Sequence, residues 1–382
     1  MSDNSKPKNP PSEPGKDSQE LLELRRRIDA CDQQIQDLIQ QRVRIAADIA
    51  KAKMASDAST SFYRPEREAQ VLRRVRERNQ SLREDLNGPV SDDEMVRLMR
   101  EIMSTSLAAE MPMSVAYLGP EGTYTQAAVV KHFGQAVHSL DVKTIGDVFR
   151  VVEQGKAHFG VVPIENSTEG VITHTLDCFA TSDLKVCGEV QLPINHQLLS
   201  NADGLTAVEK VYAHPQALAQ CRGWLERYLP DAVIITCNSN AEAAIVASEQ
   251  PKVAAIASEM AARLYDIKTL ASGIEDEQNN TTRFLIIGND SYAASGEDKT
   301  TIMVSTPNKV GSLFELLKPL YDAGVDMSRI ESRPSRQTNW DYVFFIDMIG
   351  HIDDPQVRKA LHELESKSAF YKLIGSYPIG VL

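Results

Sequence analysis

A chain of 382 residues, 42% hydrophobic and 25% charged, has an ordinary globular balance but is too long for one core, so two or three domains are expected. A net charge of −12 excludes a broad nucleic-acid surface, and an anionic ligand would need local cations or helix ends. Five scattered cysteines (Cys31, Cys178, Cys187, Cys221, Cys237) lack zinc or redox-pair spacing and read as free thiols of a reducing cytosol. No stretch is apolar and long enough to span a membrane.

Residues 1–19 lack the apolar core of a signal peptide, and their Pro, Ser, Lys and Asp content predicts a disordered tail. Residues 20–110 follow with helical patterns alone. In the first helix Leu24, Ile28, Cys31, Ile35, Leu38, Ile45 and Ile49 recur at alternating spacings of four and three, a coiled-coil seam, with Arg42 where a hydrophobe belongs. A helix of about 50 Å at 1.5 Å per residue outruns any core this segment can build, so a second chain is expected along it. Arg42 and Lys53, eleven residues apart, share a stripe; Arg25 lies on another face, where an antiparallel partner could bring it to Arg42 and Lys53. The second helix opens at Pro65 and stops at Asn87-Gly88. The third carries a capping box, Ser91 to Glu94, and presents Ser106 and Glu110 on one face.

From about residue 113 to 290, short apolar runs ("VAYLG", "FGVVPI", "KVCGEV", "KVYA", "AVIITC", "KVAAIAS", "RFLIIG") alternate with amphipathic helical patterns, an α/β signature. Four polar motifs follow strands or cap helices: "YLGPEGTYTQAA", "VVPIENSTEG", "VYAHPQALAQC" and "TCNSNAEAA". Each alone is a capped turn. Together they supply many N–H and O–H donors and few cations, which suits a small carboxylate-bearing ligand at the carboxyl ends of strands. "NDSYAASGEDK" reads as a linker. Residues 300–382 read βαββαβ, a small open-faced sandwich.

The helical segment resembles the AroQ-type chorismate mutases in "LRRRIDACDQQIQDLIQQRVRIAADIAKAK", "YRPEREAQVL" and "REIMSTSLAAE". The resemblance implies an all-α intertwined dimer whose Arg25 and Arg42, from different chains, grip the two carboxylates of chorismate. It puts Lys53 on the ether oxygen, Glu68 on the ring hydroxyl, and Ser106 and Glu110 on the far wall. Arg64 stands where some members have an acid, reaching the substrate by backbone or by side chain. The chemistry is a Claisen rearrangement, which needs a held conformer and fixed positive charge but no nucleophile. Glu110 can donate a hydrogen bond only when protonated, so a mutase favouring mildly acidic conditions is expected.

The motifs "GPEGTYT", "VVPIENSTEGVI", "AHPQALAQC" and "NNTTRFLIIG" resemble prephenate dehydratase, which implies a two-lobed, periplasmic-binding-protein-like α/β fold with substrate in the cleft. The resemblance makes Thr282 the residue tied to catalysis, either giving up a proton or orienting the leaving hydroxyl. It puts Arg283 on the side-chain carboxylate or in a brace for the loop, and Asn166 and Gln220 in the cleft. Ala213 and Asn240 depart from the more usual serine and threonine of these motifs. His214 is a candidate general acid or a structural residue. In "NKVGSLFELLKPL" and "RIESRPSRQTNWDYVFFIDM" the last segment resembles an ACT domain, with phenylalanine as the implied effector at Gly311, Ser312, Leu313, Glu331, Ser332 and Arg333.

The whole is similar to the bifunctional chorismate mutase–prephenate dehydratases. That implies a cytoplasmic homodimer or higher homo-oligomer, acting on chorismate and prephenate with no metal or organic cofactor and no nucleic-acid or membrane partner. Two rival readings stay open here: a non-catalytic amino-acid sensor, and a dehydratase that takes arogenate.

Overall fold

The structure is a computed structural model, and it describes residues 19–56, 63–86, 88–306, 309–334 and 342–381. Residues 1–18 of the expected tail, and Asn87 of the expected helix stop, lie outside them. The chain forms two compact units, Met1–Thr60 and Ser61–Leu382. In the first, α1 (Gln19–Ser56) is one unbroken helix of 38 residues, about 57 Å long. Its seam residues Leu24, Ile28, Ile35, Leu38, Ile45 and Ile49 are between 46% and 63% exposed. The row keeps the spacing of a coiled-coil seam along the helix.

The second unit begins with α2 (Pro65–Leu86) and α3 (Asp92–Glu110). The predicted cap is present: Ser91 Oγ accepts from the Glu94 N–H at 3.2 Å. An α/β region follows, in chain order β1 (Ser114–Leu118), α4 (Tyr124–Phe133), β2 (His138–Val142), α5 (Ile145–Glu153), β3 (Phe159–Asn166), β4 (Gly170–Val171), α6 (Thr173–Thr181), β5 (Lys185–Pro193) and β6 (Gln197–Ser200). It continues through β7 (Lys210–Ala213), α7 (Pro215–Gln220), α8 (Arg222–Tyr228), β8 (Val233–Thr236), α9 (Asn240–Glu249), β9 (Val253–Ala257), α10 (Glu259–Leu264), β10 (Thr269–Ser272) and β11 (Thr281–Gly288). The strands make two sheets, ordered β2-β1-β3-β11-β5 with β4 on β3, and β10-β6-β9-β7-β8. The chain leaves the first sheet after β5 and re-enters it as β11. That return strand lies antiparallel between β3 and β5, so the two lobes are joined by two crossings.

The last six elements are β12 (Asp298–Ser305), α11 (Ser312–Ala323), β13 (Met327–Pro334), β14 (Tyr342–Ile349), α12 (Pro355–Lys367) and β15 (Phe370–Pro378), with sheet order β13-β14-β12-β15. This is the expected βαββαβ sandwich. Alternate residues serve its two faces: Ile302, Val304, Phe344, Ile346 and Met348 pack with the helices, while Met303, Phe345, Ile374 and Tyr377 join the core of the first lobe. The expected linker is held in place. Arg73 of α2 donates to the Ser295 carbonyl and hydroxyl (both 3.2 Å) and to the Glu297 carbonyl (2.7 Å).

Where the first lobe meets this sandwich, four charges are buried together. Arg283 donates to Glu189 (2.7 Å), Asp347 (2.5 Å) and the Tyr377 hydroxyl (3.0 Å). Lys299 donates to both oxygens of Glu189 at 2.9 Å, and Thr301 donates to Asp347 at 2.8 Å. Two cations balance two anions. Burial alone would push the Arg283 guanidinium down, but Tyr377, Asp347 and Glu189 outweigh it and its pKa stays above the ordinary value. The contact is close enough to require Gly375: a Cβ there would stand 2.2 Å from the Val186 carbonyl oxygen of β5. Gly375→Ala is therefore expected to part β15 from β5 and cost about 1–3 kcal/mol, the usual range for overpacking. A lowered unfolding midpoint and faster hydrogen exchange at residues 186–189 would show it; an unchanged midpoint would contradict the contact.

Candidate active sites

The polar entrance "QNNTTRFLIIG" lies at the second crossing between the lobes. Asn166, at the end of β3, and Thr282, at the start of β11, are cross-strand neighbours. Asn166 Oδ1 accepts from the Thr168 and Glu169 N–H groups, both at 3.0 Å. That polarity turns its Nδ2 toward Asn280 Oδ1 (2.7 Å) and Thr282 Oγ1 (2.8 Å). Thr282 Oγ1 is thus an acceptor for Asn166, and the threonine's own hydrogen is left to donate elsewhere. Ser167 accepts from the Thr281 N–H at 2.9 Å, and Asn279 takes a left-handed φ of 89°. The cluster of neutral hydrogen-bonding groups at this entrance therefore builds a turn and aims one hydroxyl.

That hydroxyl faces a cavity of about 330 Å³ between the lobes. Thr125, Asn166, Glu169 and Thr282 line it from the first lobe, and His214, Gln220 and Asn240 from the second. No lysine or arginine lines it among the described residues. Helices α4 and α9 present their first turns there, capped by Thr123 and Ser239. Gln220 reaches across to Glu169 at 3.4 Å and meets His196 Nε2 at 2.8 Å. Burial holds the His196 imidazole below the ordinary histidine range, against smaller raising contributions from Gln220 and Glu275. His214 caps α7, its Nδ1 accepting from the Gln216 N–H at 3.3 Å, while Asn240 accepts from the His214 N–H at 2.9 Å.

Asn166, Gln220 and Thr282 are brought together as expected; Arg283 is not. The pleat sends consecutive residues to opposite faces, so with Thr282 in the cleft the Arg283 guanidinium lies in the buried ion cluster. Bonded there, on the face of β11 opposite the cleft, the guanidinium has the placement of the bracing alternative. Sequence reasoning missed His196, Glu169, Thr125 and Asn280. Of these, Thr125, Glu169 and Asn280 sit inside the polar motifs of the sequence, whereas His196 follows "LPIN" with no local signal.

The residues expected to handle chorismate divide between the units. In the first, Arg25 is exposed and Arg42 and Lys53 are half-buried on one helix, three turns apart. In the second, Glu68 lies 3.5 Å from Arg100, and Arg64 donates to Glu66 at 2.6 Å. Ser106 is buried and donates to the Ile102 carbonyl at 2.8 Å, while Glu110 ends α3 half-buried.

Of the expected effector residues, Gly311 takes a left-handed φ of 83° just before α11, whose first turn holds Ser312 and Leu313. Glu331, Ser332 and Arg333 lie on β13. Arg333 is directed at the first lobe, donating to Asp177 at 3.0 Å.

Known proteins match in the same three blocks. Residues 24–111 match the chorismate mutase type II family, 115–292 prephenate dehydratase and 300–366 the ACT domain. A bifunctional chorismate mutase/prephenate dehydratase of Pseudomonas aeruginosa is 47% identical over 373 residues, 96% of this chain and all of that relative. The prephenate dehydratase of Arthrobacter aurescens in complex with L-Phe superposes with a TM-score of 0.65 at 34% identity, over 70% of this chain and 90% of that one. That of Staphylococcus aureus gives 0.62 at 27% identity, over 69% and 100%. The chain belongs to the bifunctional chorismate mutase/prephenate dehydratases, with a helical mutase segment, a two-lobed dehydratase and an ACT domain.

Proposed function

We propose that this enzyme rearranges chorismate on a cationic helical site and aromatises prephenate at Thr282, with phenylalanine as feedback effector. The mutase occupies residues 20–110, the dehydratase 113–290 and the regulatory domain 300–382. The observation that carries the dehydratase assignment is the fixed polarity of Asn166, which leaves the Thr282 hydroxyl as a donor toward the cleft. Thr282 donates to the ring hydroxyl of prephenate. The electron pair of the C–COO⁻ bond enters the ring, CO₂ departs, and the hydroxyl leaves as hydroxide held by that hydrogen bond and takes up a proton from solvent to become water; aromatisation drives the step. Gln220 and the first turns of α4 and α9 offer the dianion neutral donors, while both Nδ2 hydrogens of Asn166 go to Asn280 and Thr282 and hold the catalytic hydroxyl in place.

For the mutase, Arg42 and Lys53 stand on one α1 stripe, and Arg25 of a partner chain completes the carboxylate clamp. The exposed α1 seam supports the homodimer this requires. The resemblance assigns Glu68, Ser106, Glu110 and Arg64 to the same substrate. Phenylalanine sits in the ACT domain at Gly311, Ser312, Leu313, Glu331 and Ser332, with Arg333 beside it. The relative solved with L-Phe supports that ligand. Five free thiols fit a reducing cytoplasm.

Thr282→Ala is expected to lower the dehydratase kcat by about 10²–10³-fold, the cost of one transition-state donor, and to leave the mutase intact. Arg42→Ala should do the reverse. Ultraviolet assays of chorismate loss and phenylpyruvate formation on folded protein measure both, and loss of both activities in either variant would refute two separate sites. A second expectation concerns Glu110. Its carboxyl donates only when protonated, so mutase activity should rise as pH falls from neutral, and Glu110→Gln, a donor at any pH, should flatten the profile. A wild-type profile already flat over that range would remove the Glu110 assignment.

A further inference from the structure

Strand β13 alternates strictly, with Arg329, Glu331 and Arg333 half-buried and Ser328, Ile330 and Ser332 exposed. Its two arginines reach the dehydratase lobe. Arg329 Nε lies 2.8 Å from Glu165 Oε2, and Arg333 Nη2 lies 3.0 Å from Asp177 Oδ1. Glu165 is the residue just before Asn166, and it is the cross-strand neighbour of Arg283. Both members of the Asn166–Thr282 pair are therefore adjacent in sequence to a residue bound to the ACT sheet: Glu165 to Arg329, and Arg283 to Asp347.

The two attachments differ in kind. Arg283, Lys299, Glu189 and Asp347 are closed in a balanced cluster, each side chain no more than 11% exposed. The Arg329–Glu165 pair is looser: Glu165 is 39% exposed, and Arg329 Nη2 is buried with no acceptor among the described residues. A half-satisfied buried guanidinium costs more than a fully bonded one. The cluster thus fixes β11, while the end of β3 is held by a contact that small movements of β13 would change.

We infer that Arg329 is a positioning residue for the dehydratase: its ion pair with Glu165 sets the end of β3 and so the geometry of the Asn166–Thr282 hydrogen bond. The inference rests on the assignment of Thr282 to the chemistry. Arg329 touches no substrate. It acts from the opposite face of the sheet, on the strand that carries the expected effector residues.

The test uses the full chain and measures kcat and KM for prephenate, with mutase activity as an internal check on folding. Arg329→Met and Glu165→Gln should each lower the dehydratase kcat on the order of tenfold, less than the hundredfold that a 1 Å misplacement can cost. KM and mutase activity should stay unchanged. The double variant should be no worse than the weaker single one, as expected for two ends of one contact. Arg329→Lys should restore most of the rate. An unaltered kcat in Arg329→Met, losses that multiply in the double variant, or an equal loss of mutase activity would overturn the inference. Thr282→Ala in the same series separates the layers. Full dehydratase activity there removes the Thr282 assignment and this inference with it; an inactive Thr282→Ala beside an unaffected Arg329→Met removes the inference alone.

Discussion

Alternation along one strand governs the second unit. β11 is the chain's return from the second lobe to the first, and it runs between β3 and β5 with both edges paired. Its side chains must point alternately to the cleft side and to the ACT side. Thr282, Phe284 and Ile286 take one face, and Arg283, Leu285 and Ile287 the other. A slip of one residue would bring a guanidinium into a cleft that no lysine or arginine lines among the described residues, and a threonine into the ion cluster. The cluster therefore acts as a register pin. Buried ion pairs often add little net stability over well-packed hydrophobes, but removing one partner leaves a charge that the interior cannot solvate. Four balanced charges make the correct register the one with no uncompensated charge.

The helical boundaries were legible because they rest on local chemistry. Pro65 at a first turn, Ser91 accepting from Glu94 and Pro215 opening α7 are caps whose partners lie within four residues. The α1 seam and the βαββαβ order were equally readable, one from period and the other from alternating runs. Strands β2, β6 and β10 were not. β2 and β10 are sheet edges with no buried residue, so neither carries a continuous apolar run, and β6, though inside its sheet, is four residues long with only Leu198 and Leu199 apolar. The direction of Arg283 could not be read from a motif that names adjacent residues without saying which faces the cleft. His196 is in the cleft through its lobe's packing, and only the assembled fold brings it to Gln220. The sequence "NDSYAASGEDK" looked like a linker because its bonds go to Arg73, more than 200 residues away.

The two centres meet a similar problem in opposite ways. Chorismate and prephenate are both dicarboxylates, and the chain itself is strongly acidic. On α1 the expected ligands are two guanidiniums and an ammonium, whereas in the cleft no lysine or arginine lines the cavity among the described residues. The reactions explain the contrast. The rearrangement keeps both carboxylates, and charge grows on an ether oxygen, so a cation beside that oxygen binds the transition state better than the ground state. In the dehydration one carboxylate must become neutral CO₂. A cation paired with it would stabilise the charge that has to disappear, lowering the ground state more than the transition state. Neutral dipoles at strand and helix ends hold the dianion without that penalty. On this argument, burying Arg283 in the ion cluster keeps the guanidinium next to Thr282 in sequence away from the carboxylate that departs.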